Sequence, residues 1–227
     1  MQLEMTLIDT AKAAPLAVEI DTMVIAGWAG RDAAAMEHHI RELEALGVKR
    51  PTATPTFYRV ATNRLTTSAQ IECSGPHSSG EAETLIVAQQ DRLYVGLGSD
   101  HTDRHVETFG VAVSKQICDK PIAETLWPLD EVADHWDQLI LRSWLTTAEG
   151  RVLYQEGTVG SLLSPQDLIA RYTDGGTLPN GTAMMGGTMP AIGGVRAGQR
   201  FDCALIDPVL SREIKLAYDI LELPIAG

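Results

Sequence analysis

The residues whose types and spacing carry the most chemistry lie between Ser79 and Arg104. Glu81 and Glu83 precede an apolar run, Thr84 to Ala88, and the polar group Gln89-Gln90-Asp91-Arg92 follows it. A second apolar run, Leu93 to Leu97, leads into Ser99-Asp100-His101-Thr102-Asp103-Arg104. Two short runs of this kind around a polar group predict an antiparallel hairpin. With the turn centred on Gln90 and Asp91, Glu81 falls opposite Asp100. Glu83 then shares the face of Glu81, because successive strand residues alternate. Opposed side chains in a sheet have Cβ atoms about 4.5–5.5 Å apart. Three carboxylates at one end of a hairpin repel unless something neutralises them, and Mg²⁺, Mn²⁺ or Ca²⁺ takes oxygen ligands of this type. Acids kept in water by an edge strand are the competing reading, and the hairpin alone leaves both open.

A second constellation is helical. Asp32 is a candidate N-cap, Met36, Ile40 and Leu43 follow at helical spacing, and Gly47 suits the C′ position. On that helix His39 and Glu42 are three apart and His38 and Glu42 four apart, both within reach. A histidine held by a carboxylate is a usual general base near neutral pH; the same residues also suit a solvated helix face. A helical turn after Asp100 would bring Arg104 back toward Asp100, where it binds a substrate carboxylate bidentately or neutralises Asp100 and Asp103. Lys115 opens a loop that closes at Lys120-Pro121. Thr188 lies in Gly186-Gly187-Thr188-Met189-Pro190, where glycines let the backbone approach a ligand and successive N–H groups form an anion nest. A tight turn packed on a neighbouring strand fits that segment too. Asp134-His135-Trp136-Asp137 reads as a helix end, and Trp127, Trp136 and Trp144 as core or interface residues.

The elements that must position these residues are mostly strands. Leu16 to Ala26 reads as a strand entering Gly27-Trp28-Ala29-Gly30, and Phe57 to Val60 and Leu65 to Cys73 as two more. Pro128 to Trp136 suggests a short helix, and Leu139 to Leu145 with Arg151 to Gln155 a hairpin. Leu162 to Tyr172 is helical in pattern with Ser164 as N-cap and Pro165 at N1. Phe201 to Ile206 reads as a strand and Pro208 to Leu221 as a closing helix. The sum is a mixed α+β domain built mainly on β-structure. At 227 residues the chain fits a single domain spanning 1–227 with a real core. Its formal charge of −12 argues against nucleic-acid and anionic-membrane partners, which need a basic face. No apolar run approaches a membrane span, and Glu19 and Asp21 interrupt any N-terminal signal pattern. Cys73, Cys118 and Cys203 have neither disulfide-framework nor zinc spacing, so a reducing cytoplasm is the expectation.

In order and spacing these segments resemble the fumarylacetoacetate hydrolase superfamily, most closely its domain-of-unknown-function family 2848, from about Ala26 to Ile206. The matching pattern is the glycine turn Gly27 to Asp32, His39-Ile40-Arg41-Glu42, Pro51/Pro55, Phe57-Tyr58-Arg59, Glu81 with Glu83, Asp100 with Arg104, Lys115, and Gly187-Thr188-Met189-Pro190. The resemblance implies a mixed β-roll or sandwich with a few peripheral helices, residues 27–50 forming a helical lid. It implies Glu81, Glu83 and Asp100 as ligands of Mg²⁺ (or Mn²⁺ or Ca²⁺), and selects His39 over His38 as the partner of Glu42. It further implies Lys115 as a catalytic contact, Arg59, Arg104 and Thr188 as substrate contacts, and a homodimer. The implied reaction is hydrolysis of a C–C bond in a small 2-oxo acid or 1,3-dicarbonyl compound, the cation acting as Lewis acid and His39–Glu42 activating water. A lyase, hydratase, decarboxylase or isomerase uses the same pocket, and the scaffold could also bind a small anionic metabolite without turnover. The chain departs from the superfamily pattern at Arg31-Asp32, where Asn-Tyr is common, at Glu107 in place of Gln, at Arg59 in place of Lys, and in lacking a Gly-Pro after the Lys loop.

Overall fold

A computed structural model describes residues 1–45 and 50–226, with the side chains of His39, Glu42, Leu43 and Ala45 outside the description. The expected C′ residue, Gly47, also lies outside the described residues. The central hairpin forms in the expected register: Ala82–Gln89 and Arg92–Ser99 are antiparallel, with Ala82 opposite Ser99 and Gln89 opposite Arg92. Gln90 and Asp91 both take positive φ, 52° and 56°, as in a two-residue type I′ loop whose twist matches the strands. Neither is glycine. The strain is held by Asn180, whose Oδ1 accepts from the Asp91 N–H at 2.9 Å and whose Nδ2 donates to Asp91 Oδ1 at 2.8 Å.

This hairpin is the middle of an eight-stranded mixed sheet curled into a half-barrel. Its order is Ala13–Glu19, Gln2–Ile8, Thr125–Pro128, Arg92–Ser99, Ala82–Gln89, Thr182–Met185, Thr22–Gly27 and Thr56–Val60. The middle strands are covered on both faces, which explains why they read as continuous apolar runs rather than alternating ones. Leu85, Val87, Met23, Ile25, Leu126 and Met185 fill the inside of the curl. Ile86, Val95, Leu97 and Val24 face outward onto a second, five-stranded sheet that contributes Leu141, Phe201, Leu205, Leu216 and Tyr218. That sheet runs Gly150–Thr158, Ile140–Thr147, Arg200–Asp207, Arg212–Leu223 and Gln70–Ser74. Few helices accompany them, and the class is α+β. No helix among the described residues is long and apolar enough to cross a membrane.

Several expected elements differ. The stretch 16–26 is two strands, because the chain turns at Ile20-Asp21, where the Asp21 and Thr22 N–H groups donate to the Gly181 carbonyl at 2.8 and 3.1 Å. Leu65 to Cys73 divides into Leu65–Thr66 and Gln70–Ser74. The short helix expected at 128–136 is a pair of 3₁₀ segments, Leu129–Glu131 and Ala133–Gln138. Lys115 lies in a helix, Val111–Gln116, rather than opening a loop. The closing helix is absent, and residues 212–223 form the last strand. There Ile214, Leu216, Tyr218 and Ile220 are buried in alternation with exposed or half-buried residues, a period of two that fits a strand. Two caps hold: Asp32 Oδ1 accepts from Ala34 and Ala35 N–H at 2.9 and 3.0 Å, and Ser164 accepts from Asp167 N–H.

The turn before the last strand is built on Asp207, fully buried. Its Oδ1 accepts from the Val209 and Leu210 N–H groups at 3.1 and 3.0 Å and lies 3.0 Å from His135 Nε2, while Arg212 Nε donates to Oδ2 at 3.2 Å. Burial pushes this carboxyl up, but the Leu210 N–H, His135 and Arg212 outweigh it and hold the pKa below the usual value. A depressed carboxyl stabilises the fold above its unfolded pKa, about 3.9, and that contribution disappears as pH falls through the folded value. Asp207→Asn is expected to cost about 1–3 kcal/mol at pH 7 and to flatten the loss of stability below about pH 4, as read from urea melts at a series of pH values.

Candidate functional site

Where the central hairpin leaves the half-barrel it crosses the five-stranded sheet, and the expected carboxylates converge there. Asp100 N–H donates to the Glu81 carbonyl at 3.0 Å, continuing the hairpin register by one pair. Glu83 lies on the face of Leu85 and Val87, inside the curl. One oxygen each from Glu81, Glu83 and Asp100 lies within 4.8 Å of the others. Glu83 and Asp100 are 2% and 0% exposed, so these acids are not solvated edge-strand decoration. Two charged carboxylates at about 4.8 Å repel by roughly 3 kcal/mol at an effective dielectric of about 20.

Each carboxylate has its own positive partner. Glu83 Oε2 accepts from the Gly187 N–H at 2.8 Å. Asp100 receives Lys115 Nζ in a short contact on Oδ2 and lies 3.3 Å from Lys120 Nζ through Oδ1. Glu81 Oε1 is 3.0 Å from Arg104 Nη2, an ion pair outside good hydrogen-bond alignment, and Lys115 Nζ is 3.7 Å from its Oε2. Arg104 also donates through Nε to Ser79 Oγ at 2.7 Å and through Nη1 to Glu107 Oε2 at 3.0 Å. The electrostatics follow. Burial raises Glu83 well above the usual carboxylate value, and the neighbouring Asp100 and Glu81 charges raise it further. Burial opposes the Asp100 charge too, but Lys115, Lys120 and Arg104 overcome it and lower its pKa. Lys115 is held protonated by Asp100, Glu81 and Glu83 against its own burial.

Of the other expected site residues, Thr188 is brought in and Arg59 is not. Thr188 Oγ1 donates at 2.9 Å to the carbonyl of Ala82, the residue between the two glutamates. Arg59 alternates with Tyr58 on Thr56–Val60; its guanidinium is exposed, 3.4 Å from Thr22 Oγ1, on the face opposite Tyr58. Tyr58 is the residue of that strand beside the cluster, with Lys115 Nζ 5.9 Å from its ring centroid and Trp28 Nε1 3.3 Å from its hydroxyl. Arg104 faces Glu81 rather than Asp100, because its backbone N–H is drawn to the His77 carbonyl at 2.9 Å. His39 and Glu42 belong to the helix Ala33–Ala45, and their side chains lie outside the described residues. The sequence reading missed Lys120. Fully buried, its ammonium donates to the His101 carbonyl at 2.5 Å and the Cys118 carbonyl at 3.2 Å, and burial lowers its pKa. The available signal was a lysine at the entry to the apolar run Pro121-Ile122-Ala123.

Two glycines permit this convergence. A Cβ on Gly80 would lie 2.7 Å from Phe201 Cγ and from the Tyr218 hydroxyl, so a side chain there would lift Glu81 off the second sheet. Gly187 has φ +89°, and a Cβ there would meet Ala29 Cβ at 2.8 Å. The donor set is three carboxylates and nothing softer, which fits a hard divalent cation better than zinc, and a cation would relieve the crowding of Glu83. Gly187→Ala is expected to cost at least about 1–2 kcal/mol and to weaken any stabilisation by Mg²⁺ or Mn²⁺, because the 187 N–H is displaced from Glu83; thermal melts with and without cation measure both.

Residues 26–218 match the model of a family described as "Protein of unknown function (DUF2848)". No curated protein sequence matches the chain. Among solved structures, a fumarylacetoacetate hydrolase family protein from Yersinia pestis CO92 is similar at TM-score 0.66 and 17% identity, over 92% of this chain and 96% of that one. A 2-keto-3-deoxy-D-arabinonate dehydratase complexed with magnesium and 2,5-dioxopentanoate is similar at TM-score 0.65 and 13% identity, over 91% and 75%. A 4-oxalocrotonate decarboxylase from Pseudomonas putida G7, complexed with calcium and acetate, is similar at TM-score 0.59 and 16% identity, over 87% and 76%. The fold is therefore that of fumarylacetoacetate hydrolase-like proteins.

Proposed function

The chain belongs to the DUF2848 family, and from its cluster of three carboxylates, two buried and one half-buried, we propose that it is a divalent-metal-dependent enzyme acting on a small 2-oxo acid or 1,3-dicarbonyl compound. The observation that carries this reading is the meeting of Glu81, Glu83 and Asp100 in a place where acids serve no solubilising purpose. Solved relatives of the same fold with magnesium or calcium support it. A bound Mg²⁺, Mn²⁺ or Ca²⁺ would supply a Lewis acid for the carboxylate and 2-oxo oxygens of the substrate.

The protein's own groups do the rest. Arg104, Lys120 and the Gly187 N–H orient the three carboxylates. Lys115 and the Thr188 turn hold the negative oxygens of the substrate, while Glu42 orients His39 as the base for water. Residues 27–50 act as the lid that carries this dyad. In the hydrolytic reaction water adds to the distal carbonyl and gives its proton to His39. The C–C bond then breaks, its electron pair passes into the enolate of the 2-oxo acid product, and protonation of that carbon completes the step.

C–C hydrolysis is the first choice because a His–Glu pair suits water activation. Decarboxylation or dehydration of a 2-oxo acid is the second reading, favoured by the decarboxylase and dehydratase among the structural relatives. Loss of ultraviolet absorbance across a panel of acylpyruvates and oxaloacetate, with Mg²⁺ or Mn²⁺ present, separates the reactions. EDTA and Asp100→Asn are expected to abolish turnover, and His39→Ala to lower kcat by roughly 10²- to 10⁴-fold. Activity that survives both EDTA and His39→Ala excludes this mechanism, whereas a ligand-stabilised but inert protein favours a binding function.

A further inference from the structure

A buried glutamine connects the second sheet to the proposed centre. Gln155 lies on Gly150–Thr158, and at 2% exposure it is one of the few polar side chains sealed in the core. It makes four hydrogen bonds. Its Oε1 accepts from the Ala82 N–H at 3.0 Å and from Ser143 Oγ at 2.8 Å; its Nε2 donates to Thr188 Oγ1 at 2.7 Å and to the Met189 carbonyl at 2.6 Å. The orientation of the amide is fixed by these partners, since the Ala82 N–H only donates and the Met189 carbonyl only accepts.

A backbone irregularity delivers it there. Between Ser143 and Trp144 the pairing of the two strands shifts: Ser143 stays opposite Gln155, but Trp144 is opposite Leu153, leaving Tyr154 as the extra residue of a bulge. In a regular strand neighbours face opposite sides, yet Tyr154 and Gln155 are both buried. Bulges beside functional sites re-aim side chains in this way. Tyr154 fills the core, and Gln155 reaches the hairpin.

Ala82 is the residue flanked by the two glutamates, and both halves of its backbone are tied to this junction. Its N–H goes to Gln155, and its carbonyl accepts from Thr188 Oγ1, itself held by Gln155. One residue before Thr188, the Gly187 N–H binds Glu83. We propose that Gln155 is a positioning residue that sets the distance between the Glu81–Glu83 pair and the Thr188 turn, and so the affinity of the three-carboxylate centre for a divalent cation. This rests on the metal-centre reading above and adds to it a residue remote from the cation.

The test is Mn²⁺ binding by calorimetry and electron paramagnetic resonance, at a temperature where circular dichroism shows each variant folded. Wild type is expected to bind one Mn²⁺, and Gln155→Met to bind it roughly ten- to a hundredfold more weakly, as for outer groups that orient metal ligands. Ser143→Ala removes a buried hydrogen bond from the same network without touching Ala82 or Thr188. It is expected to lower the melting temperature while holding Mn²⁺ affinity within about twofold of wild type, a split that a purely structural role of Gln155 would not give. Should Gln155→Met fail to fold, Gln155→Glu decides. It keeps an acceptor for Ala82 and Ser143 but faces the Met189 carbonyl with an oxygen, and an altered Mn²⁺ resonance spectrum is expected. Wild-type affinity and spectrum in the folded Gln155 variant overturn the inference. Absence of stoichiometric Mn²⁺ binding by wild type overturns the metal centre itself.

Discussion

The crowding of three carboxylates, two of them buried, is the constraint on which the rest of the structure depends. Each pair of like charges at this separation costs several kcal/mol in a low-dielectric setting, and burial adds a further penalty for each charge. Such an arrangement persists only where surrounding groups over-determine it. Here one ammonium touches Asp100 and approaches Glu81, another lies on the far oxygen of Asp100, a guanidinium clamps Glu81, and a backbone N–H holds Glu83. Among the described residues, Glu83 has the Gly187 N–H alone as its direct hydrogen-bond partner. Its raised pKa is the electrostatic expression of a place built for more positive charge than the chain itself brings close to it.

Rigid elements deliver that geometry. Two of the acids, Glu81 and Glu83, are just before and within one strand of a hairpin whose register is fixed by a two-residue turn, and the third, Asp100, lies one residue beyond the end of the opposite strand. The hairpin is in turn seated on the second sheet through Ser99 Oγ and Tyr218 Oη, 2.8 Å apart, and through Gln155. His101 Nδ1 is 3.0 Å from the same Tyr218 hydroxyl, so the residue after Asp100 is anchored as well. Sites on strands hold side chains more tightly than sites on loops. Even the loop that takes part, Gly186 to Pro190, is bonded to Ala82, Glu83 and Gln155.

Much of this was legible in the sequence because strand periodicity and turn chemistry act over a few residues. The hairpin needed only two apolar runs and the polar group between them, and its register then placed Glu81 opposite Asp100. The Asp32 and Ser164 caps were legible for the same reason. What sequence did not reveal depends on tertiary pairing. Residues 212–223 carry an alternation of buried residues that competes with a helix-like spacing of Leu210 and Ile214, and pairing with Arg200–Asp207 decides the outcome. Lys120 and Gln155 looked like ordinary polar residues because their partners lie far along the chain. Arg59, implied by the resemblance alone, lies on the face away from the cluster because strand alternation gives Tyr58 the face toward Lys115.

The departures from the superfamily pattern can be read physically in the same way. Arg31 is bound bidentately by Asp137, at 2.7 and 2.9 Å, and its Nε donates to the Leu162 carbonyl at 3.1 Å. The Gly27 to Asp32 turn is thereby tied to the second 3₁₀ segment and to Leu162 rather than offering a free guanidinium to a ligand. Glu107 occupies one side of Arg104, whose other contacts are Glu81 and Ser79. The fork of this arginine is already shared between two carboxylates and a hydroxyl. Under the proposed function, Lys115, itself beside Asp100 and Glu81, and the Thr188 turn are the groups that meet the negative oxygens of a substrate. Lys115 Nζ lies 5.9 Å from the Tyr58 ring centroid and Trp28 Nε1 donates to the Tyr58 hydroxyl at 3.3 Å, so aromatic side chains border that side of the cluster.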